Sequence, residues 1–444
     1  MNNSKIVEVI KSAKLFLEQG ESDTRYRRSK YSFQQGGKIS FRTVVLTLLN
    51  RIKKTLSLEL DNFFNVMNLF TSEGIEDFSV SAFSQARYKL EPIFFESWNR
   101  SLKQSYYRVY QSDLKSYKGY YLQGVDGTCV YLPDIVELGD HFGTSGNQVR
   151  VRPMAQGMIR YDLLNEFVEE AHLYPIKTSE PAIALEHLWK VPSNVISIYD
   201  RIFPSAEFIY EHERMGLKYV MRLKVGFNKE VKSFIESGLQ EAIVEFPINS
   251  RAAEKMRNRG LEVSSGQKVK VRLVRIELKS GEVEVLATNL MEEEGWDIAD
   301  LDLLYDHRWG VETFIDLLKN KMGLELFSGQ KPKAIYQEFF AAIFTLNLQT
   351  ILLKDCEEPV VEISVKTKLD YKVNRTISLG LMKNIICLFF LNSTIIELKD
   401  LVKTLQNKFI KNLSAVRAGR SYKRKRKSRR INRKHQTDNN YRHL

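Results

Sequence analysis

Tyr305 to Lys319 reads YDHRWGVETFIDLLK. At about 100° per helical residue, Tyr305, Arg308, Glu312 and Lys319 fall at roughly 0°, 300°, 340° and 320°, inside a sector of about 60°. Leu304, Val311, Phe314, Ile315, Leu317, Leu318 and Met322 take the other side. The spacing therefore predicts one helix packed by its apolar face, with a carboxylate, two cations and a phenol turned away from the core. The same charges also suit a solvated face with i,i+4 pairing. Asp316 falls on the polar face too and rivals Glu312 as its functional acid.

Upstream, the pattern is that of a sheet with intervening helices. Tyr120 to Leu132, YYLQGVDGTCVYL, reads as a strand, an Asp-Gly turn and a return strand, with Asp126 at the tip. Strand-like runs from Arg150 through Leu163 and from Asn165 to Pro175 continue the meander. Glu180 to Lys190 reads as a helix ending before Pro192, and VISIYD, Val195 to Asp200, as a buried central strand with Asp200 at its C-terminal end. Pro204 to Gly216 is a helix with Pro in its first turn and Gly at its end; Leu217 to Val225 is another strand. The order is three strands, helix, strand, helix, strand.

The spacing Y-x2-R-x3-E-x6-K, carried by Tyr305, Arg308, Glu312 and Lys319, resembles the signature of the insertion-sequence-four family of bacterial DDE transposases. The D-G-T of Asp126, Gly127 and Thr128 matches the context of that family's first catalytic Asp. Around Asp200 the chain reads D-R-I-F, where the family has D-R-G before an aromatic, so Ile202 replaces a Gly. The resemblance implies an α/β, ribonuclease H-like catalytic core of mixed sheet flanked by helices. It further implies that Asp126, Asp200 and Glu312 hold two Mg²⁺ or Mn²⁺ ions, and that Tyr305, Arg308 and Lys319 contact DNA beside the cleavage point. Relatives work as a dimer on paired ends and pass through a DNA hairpin.

The family also carries an insertion where this chain has Gly226 to Leu290, whose pieces AIVEFPI, KVKVRLVRIEL and EVEVLATNL read as strands of a β-rich subdomain. Trp296, near its end, reads either as a base-stacking residue or as a buried anchor, the latter being the ordinary role of such a Trp. Pro133 to Val149 is rich in Gly and Ser and reads as a mobile loop, with His141 incidental to it.

Residues 1–115 read as helical. Within them, Ser84, Gln85, Arg87 and Tyr88 suit either a helix-turn-helix facing a DNA groove or a bundle that only packs. The expected organisation is this helical region, a first part of the catalytic domain over 116–225, the insertion over 226–295, the catalytic helix and C-terminal helices over 296–410, and a basic tail over 411–444. The charge distribution supports the tail: of a net charge of +13, the twelve Lys and Arg and the one acid from Arg417 onward contribute +11. Such a run has too little apolar content to fold alone and points to a polyanionic partner.

Three scattered cysteines, Cys129, Cys356 and Cys387, suit neither a disulfide framework nor a zinc site. The N-terminus lacks the apolar core and cleavage site of a signal peptide, and the most apolar stretch, Ile377 to Leu398, is interrupted by Lys383, Asn384, Asn392 and Ser393. The expectation is a cytoplasmic, nucleoid-associated enzyme without membrane contact. It would cut double-stranded DNA at an element's terminal inverted repeats and join the ends to target DNA. A non-mobile nuclease of the same fold, or a domesticated DNA-binding protein with a silent triad, are the alternatives.

Overall fold

A computed structural model describes residues 3–33, 37–50, 53, 55–70, 75–146, 151–278, 281–391 and 397–416; the tail from residue 417 lies outside them. Along the chain come helices α1 (Ser4–Ser22), α2 (Phe41–Leu49), α3 (Leu56–Phe70), α4 (Val80–Arg87) and α5 (Ile93–Val109), then strand β1 (Tyr121–Tyr131), helix α6 (Val136–Phe142), and strands β2 (Thr144–Gly146), β3 (Val151–Asp162) and β4 (Phe167–Pro175). Next are α7 (Glu180–Glu186), β5 (Val195–Tyr199), α8 (Ala206–Arg214), β6 (Lys218–Leu223), α9 (Lys229–Ser237), β7 (Glu241–Pro247), α10 (Ser250–Arg257), β8 (Lys268–Glu277) and β9 (Val283–Thr288). The chain finishes with α11 (Ile298–Asp306), α12 (Trp309–Asp316), α13 (Pro332–Lys354), α14 (Glu357–Thr367), β10 (Tyr371–Val373), α15 (Arg375–Met382), α16 (Ile385–Leu388), α17 (Leu398–Ile410) and β11 (Leu413–Ala415).

Two compact units emerge. One gathers the described residues of Met1–Asp113, Tyr131–Met154 and Asp316–Leu444; the other gathers Leu114–Val130 and Ala155–Ile315. The second unit is built on a mixed sheet in the order β3-β1-β5-β6-β9-β8-β7, with β4 paired to β3. The β1–β5 and β5–β6 pairs are parallel, whereas β6–β9, β9–β8, β8–β7 and β3–β4 are antiparallel. All five residues of β5 are buried, as its uninterrupted apolar run requires of a strand covered on both faces. Val125, Met158, Tyr199, Phe208, Tyr219 and Leu273 share one apolar core with residues of α7 to α10.

The strands of the 226–295 segment form no sheet of their own. They extend the central sheet through β9 on β6, and the segment also contains α9 and α10. Tyr120 to Leu132 is no hairpin either: β1 runs unbroken for eleven residues, and Asp126 lies in its middle. Trp296 is the buried anchor. It is 4% exposed, its ring lies beside Tyr117 and Tyr120, and its carbonyl accepts from Arg272 Nη1 at 2.7 Å.

In the first unit α13 is buried on nearly every side, so it shows no single apolar stripe. Trp98 of α5 stacks on Phe344 of α13 at 3.8 Å between ring centroids, while its indole N–H donates to the Ala13 carbonyl at 2.7 Å. Arg87, a candidate groove contact, is 2% exposed. Its guanidinium donates to Gln337 Oε1 (3.2 Å), Ser328 Oγ (2.8 Å), the Ala334 carbonyl (3.3 Å) and Glu338 Oε1 (3.0 Å). A cation so enclosed has no donor directed at a groove, and packing is its role. Within the expected loop Pro133 to Val149, Val136–Phe142 is a helix and Thr144–Gly146 a strand, residues 147–149 lying outside the described residues, and exposed His141 sits 3.4 Å from the Tyr336 hydroxyl. Cys129, Cys356 and Cys387 form no disulfide among the described residues. No single described helix is long and apolar enough to cross a membrane.

Candidate active site

The parallel ladder of β1 and β5 runs from Tyr121 opposite Val195 to Val125 opposite Tyr199. One residue beyond that last pair stand Asp126 and Asp200. Two carboxylates thus leave adjacent strands at the same rung. Asp126 Oδ1 accepts from the Gly127 N–H at 2.9 Å, and Asp200 Oδ1 from the Arg201 N–H at 2.6 Å. Ile202, standing where the family signature has Gly, is half exposed and lacks a positive φ, so its side chain brings no backbone strain to the turn.

The third acid arrives on α12. Gly124, two residues before Asp126 and on the same face of β1, has no side chain, and a Cβ there would lie 3.1 Å from Val311 Cγ1. That close approach seats α12 on the strand one residue ahead of Glu312. Phe314 stacks on Tyr161 at 4.6 Å and fixes the next turn. The Glu312 charge acts on Asp126 together with that of Glu180, and Arg308 opposes both.

The polar stripe is not a single outward face. The helix breaks at His307 and Arg308 between α11 and α12, and α12 ends in a π-helical turn, Leu317–Lys321. A capping box of Asp297 and Asp300 starts α11 and sets where its first turn lies. Tyr305 (8% exposed) and Arg308 (5%) are buried, against the expectation that they face away from the core. Arg308 Nη1 donates to Glu312 Oε1 at 2.7 Å, and its guanidinium lies 5.6 Å from the Tyr305 ring and 5.0 Å from that of exposed Trp309. The Tyr305 hydroxyl and Arg308 Nε are buried and find no hydrogen-bond partner among the described residues. Lys319 belongs to the other unit, in its segment from Asp316 onward, where it pairs with buried Glu325 at 3.1 Å. Asp316 is exposed and accepts from Asn320 Nδ2 at 2.6 Å.

Burial and crowded charge set the electrostatics. Burial, with the negative charges of Glu180 and Glu312, pushes the Asp126 carboxyl up to about 7, against the opposing Gly127 hydrogen bond and Arg308 charge. The Glu180 carboxyl is likewise raised by burial and by Asp200, although Gln156 donates to it. Burial pushes the Tyr305 hydroxyl up to about 12, with Asp200 and Glu284 adding to the rise. Glu180, Glu284 and its ion-pair partner Arg222 (2.6 Å) went unmarked by any sequence spacing.

These carboxylates are hard oxygen donors, the type that divalent cations take, and burial first, then the neighbouring acids, raises one of them, Asp126. Among the described residues no three His, Cys, Asp or Glu side chains are grouped closely enough to hold a metal ion as they stand, and Glu312 is drawn toward Arg308.

Residues 118–348, just over half of the 444 residues, match the family described as the transposase DDE domain. The chain belongs to that family. It is a transposase. No curated protein matches it. Among solved structures it is similar to the piggyBac transposase synaptic complex with hairpin DNA, determined by cryo-EM, at 12% identity and a TM-score of 0.42, covering 92% of this chain and 79% of that one.

Proposed function

We propose that this transposase belongs to the insertion-sequence-four family, has a ribonuclease H-like core, and acts in the bacterial cytoplasm on the terminal inverted repeats of its own element. The observation that carries the reading is the shared rung of Asp126 and Asp200 with Glu312 brought against it by α12. In this reading the three carboxylates hold two Mg²⁺ or Mn²⁺ ions. When bound, such a pair of ions stabilises the attacking and leaving oxygens of an in-line displacement at phosphorus.

The chain's own side chains supply the rest. Arg308 offers a planar fork to the scissile phosphate and the Tyr305 hydroxyl donates to a phosphate oxygen, while Lys319 is a point charge for the DNA backbone. Hydrolysis forms a P–O bond to the water oxygen as the P–O3′ bond breaks, leaving a 3′-OH on the element end and a 5′-phosphate on the flanking strand. That hydroxyl then attacks a target phosphodiester, so joining forms one P–O bond and breaks another. Two ends must be held together for this, and a dimer on double-stranded DNA supplies two such sites.

The test is the purified full chain with DNA carrying the element's ends, a target plasmid, and Mg²⁺ or Mn²⁺. Cutting at the ends followed by joining is expected. Cutting without joining would make the protein a nuclease, and no cutting with either cation would overturn the reading.

A further inference from the structure

Glu180 opens α7, directly after β4 and the turn that follows it, and no motif marks it. Its carboxylate occupies the place where a side chain on residue 127 would stand: a Cβ built on Gly127 would lie 2.1 Å from Glu180 Cδ and 2.3 Å from its Oε1. Any residue but glycine after Asp126 would drive this carboxylate away. Gln156 Nε2 donates to Glu180 Oε1 at 3.2 Å and holds the group in place. Glu180 therefore lies against the peptide that follows Asp126, and its charge also reaches Asp200.

Independent groups at the same cluster point to a ligand. Tyr305 and Arg308 are more than nine-tenths buried, and each carries a donor with no acceptor among the described residues, the hydroxyl and Nε respectively. The charge of Asp200 acts on both side chains. Buried donors of this kind beside concentrated carboxylates fit a site that takes a cation and a phosphate together.

We propose that Glu180 is a fourth carboxylate of this site, a metal ligand beside Asp126 and Asp200, and that Gly127 is glycine in order to admit it. The proposal rests on the reading of Asp126, Asp200 and Glu312 as the metal centre. It gives the Asp-Gly pair a role unrelated to a turn. In β1 the Asp supplies one ligand and the Gly makes room for another.

The test is Mn²⁺ binding by the full-length protein without DNA, followed by calorimetry and by the electron paramagnetic resonance of free Mn²⁺. Glu180→Gln keeps the acceptor for Gln156 and the side-chain volume but removes the charge. It should melt within a few degrees of wild type and bind Mn²⁺ about tenfold or more weakly, the scale on which loss of a metal-site carboxylate is felt. Glu180→Asp, which retains the charge but withdraws it by one methylene, gives a second reading and should also loosen Mn²⁺. Gly127→Ala should loosen Mn²⁺ in the wild-type background and add nothing in Glu180→Ala, where the displaced side chain is already gone.

Unchanged Mn²⁺ affinity in both Glu180 variants, or additive losses in the double variant, would overturn the proposal. Asp200→Asn separates this failure from that of the underlying reading. If Asp200→Asn loosens Mn²⁺ and the Glu180 variants do not, only the role of Glu180 falls. If none of them loosens it, the metal centre and Glu180's place in it fall together.

Discussion

Arg308 Nη1 lies 2.7 Å from Glu312 Oε1, one helical turn away, and so neutralises the acid proposed to bind metal. Arg308 thereby competes with a cation for the same carboxylate and repels it by its own charge. Replacing it with methionine should leave Mn²⁺ affinity equal to or greater than that of the wild type. Yet the phosphate then loses its planar fork, so DNA cleavage should fall by about two orders of magnitude, in the range set by loss of a charge-stabilising donor. Parallel titration of Mn²⁺ and single-turnover cleavage would show the two quantities moving apart. A matching loss of both would make Arg308 a structural support of the metal site.

Asp126→Asn, Asp200→Asn and Glu312→Gln should each abolish Mg²⁺- or Mn²⁺-dependent cleavage while DNA binding and folding persist. Asp316→Asn is the control. That carboxylate is exposed and engaged with Asn320, so its loss should leave cleavage within about twofold and stability within about 0.5 kcal/mol of wild type. Cleavage assays beside gel-shift and melting measurements would check all four. Normal cutting by Glu312→Gln with failure of Asp316→Asn would reverse the assignment of the third acid.

The parts of the fold that declare themselves in sequence are those whose burial is continuous along the chain. Val195 to Tyr199 reads as a central strand because an apolar run of that length must be covered on both faces, and the strand-like run from Arg150 to Leu163 appears as β3, whose last ten residues are all buried. Asp126-Gly127 misleads because a tight turn and a close tertiary approach both call for glycine, and only the position of Glu180 separates them. The stripe from Tyr305 to Lys319 misleads differently. Residue periodicity assumes one unbroken helix, whereas the break at His307 and the π-helical turn at Leu317–Lys321 redirect the side chains. Glu180 itself has no sequence signal, since the contact that defines it joins residues on β1 and α7 with no fixed spacing.

Arg87 tests the N-terminal helices. Its guanidinium has four partners and 2% exposure, and an uncharged replacement would strand Glu338 without its buried cation. Arg87→Met should lower unfolding free energy by roughly 3 kcal/mol, as removal of one partner from a buried ion pair does. Denaturant titration would give that value. If stability held and affinity for the element's ends fell instead, α4 would be a DNA-reading helix after all.

The raised Asp126 carboxyl fixes how the metal-free protein responds to pH. Its folded-state pKa of about 7 stands above the ordinary carboxylate range, chiefly because of burial and then of neighbouring acids, so between about pH 4 and pH 7 the folded state holds a proton that the unfolded chain has released. The stabilisation from this group is complete below about pH 4 and is lost as pH rises through about 7. Asp126→Asn, which carries no charge to be repelled, should therefore match wild type near pH 4 and exceed it near pH 8, by on the order of 4 kcal/mol. Chemical denaturation in the presence of a chelator at the two pH values would measure the gap. Saturating Mn²⁺ should then narrow or reverse it at pH 8, because only the wild-type carboxylate gains from the ion. A gap that is the same at both pH values, or that ignores Mn²⁺, would mean that Asp126 is not the group whose ionisation the site must offset.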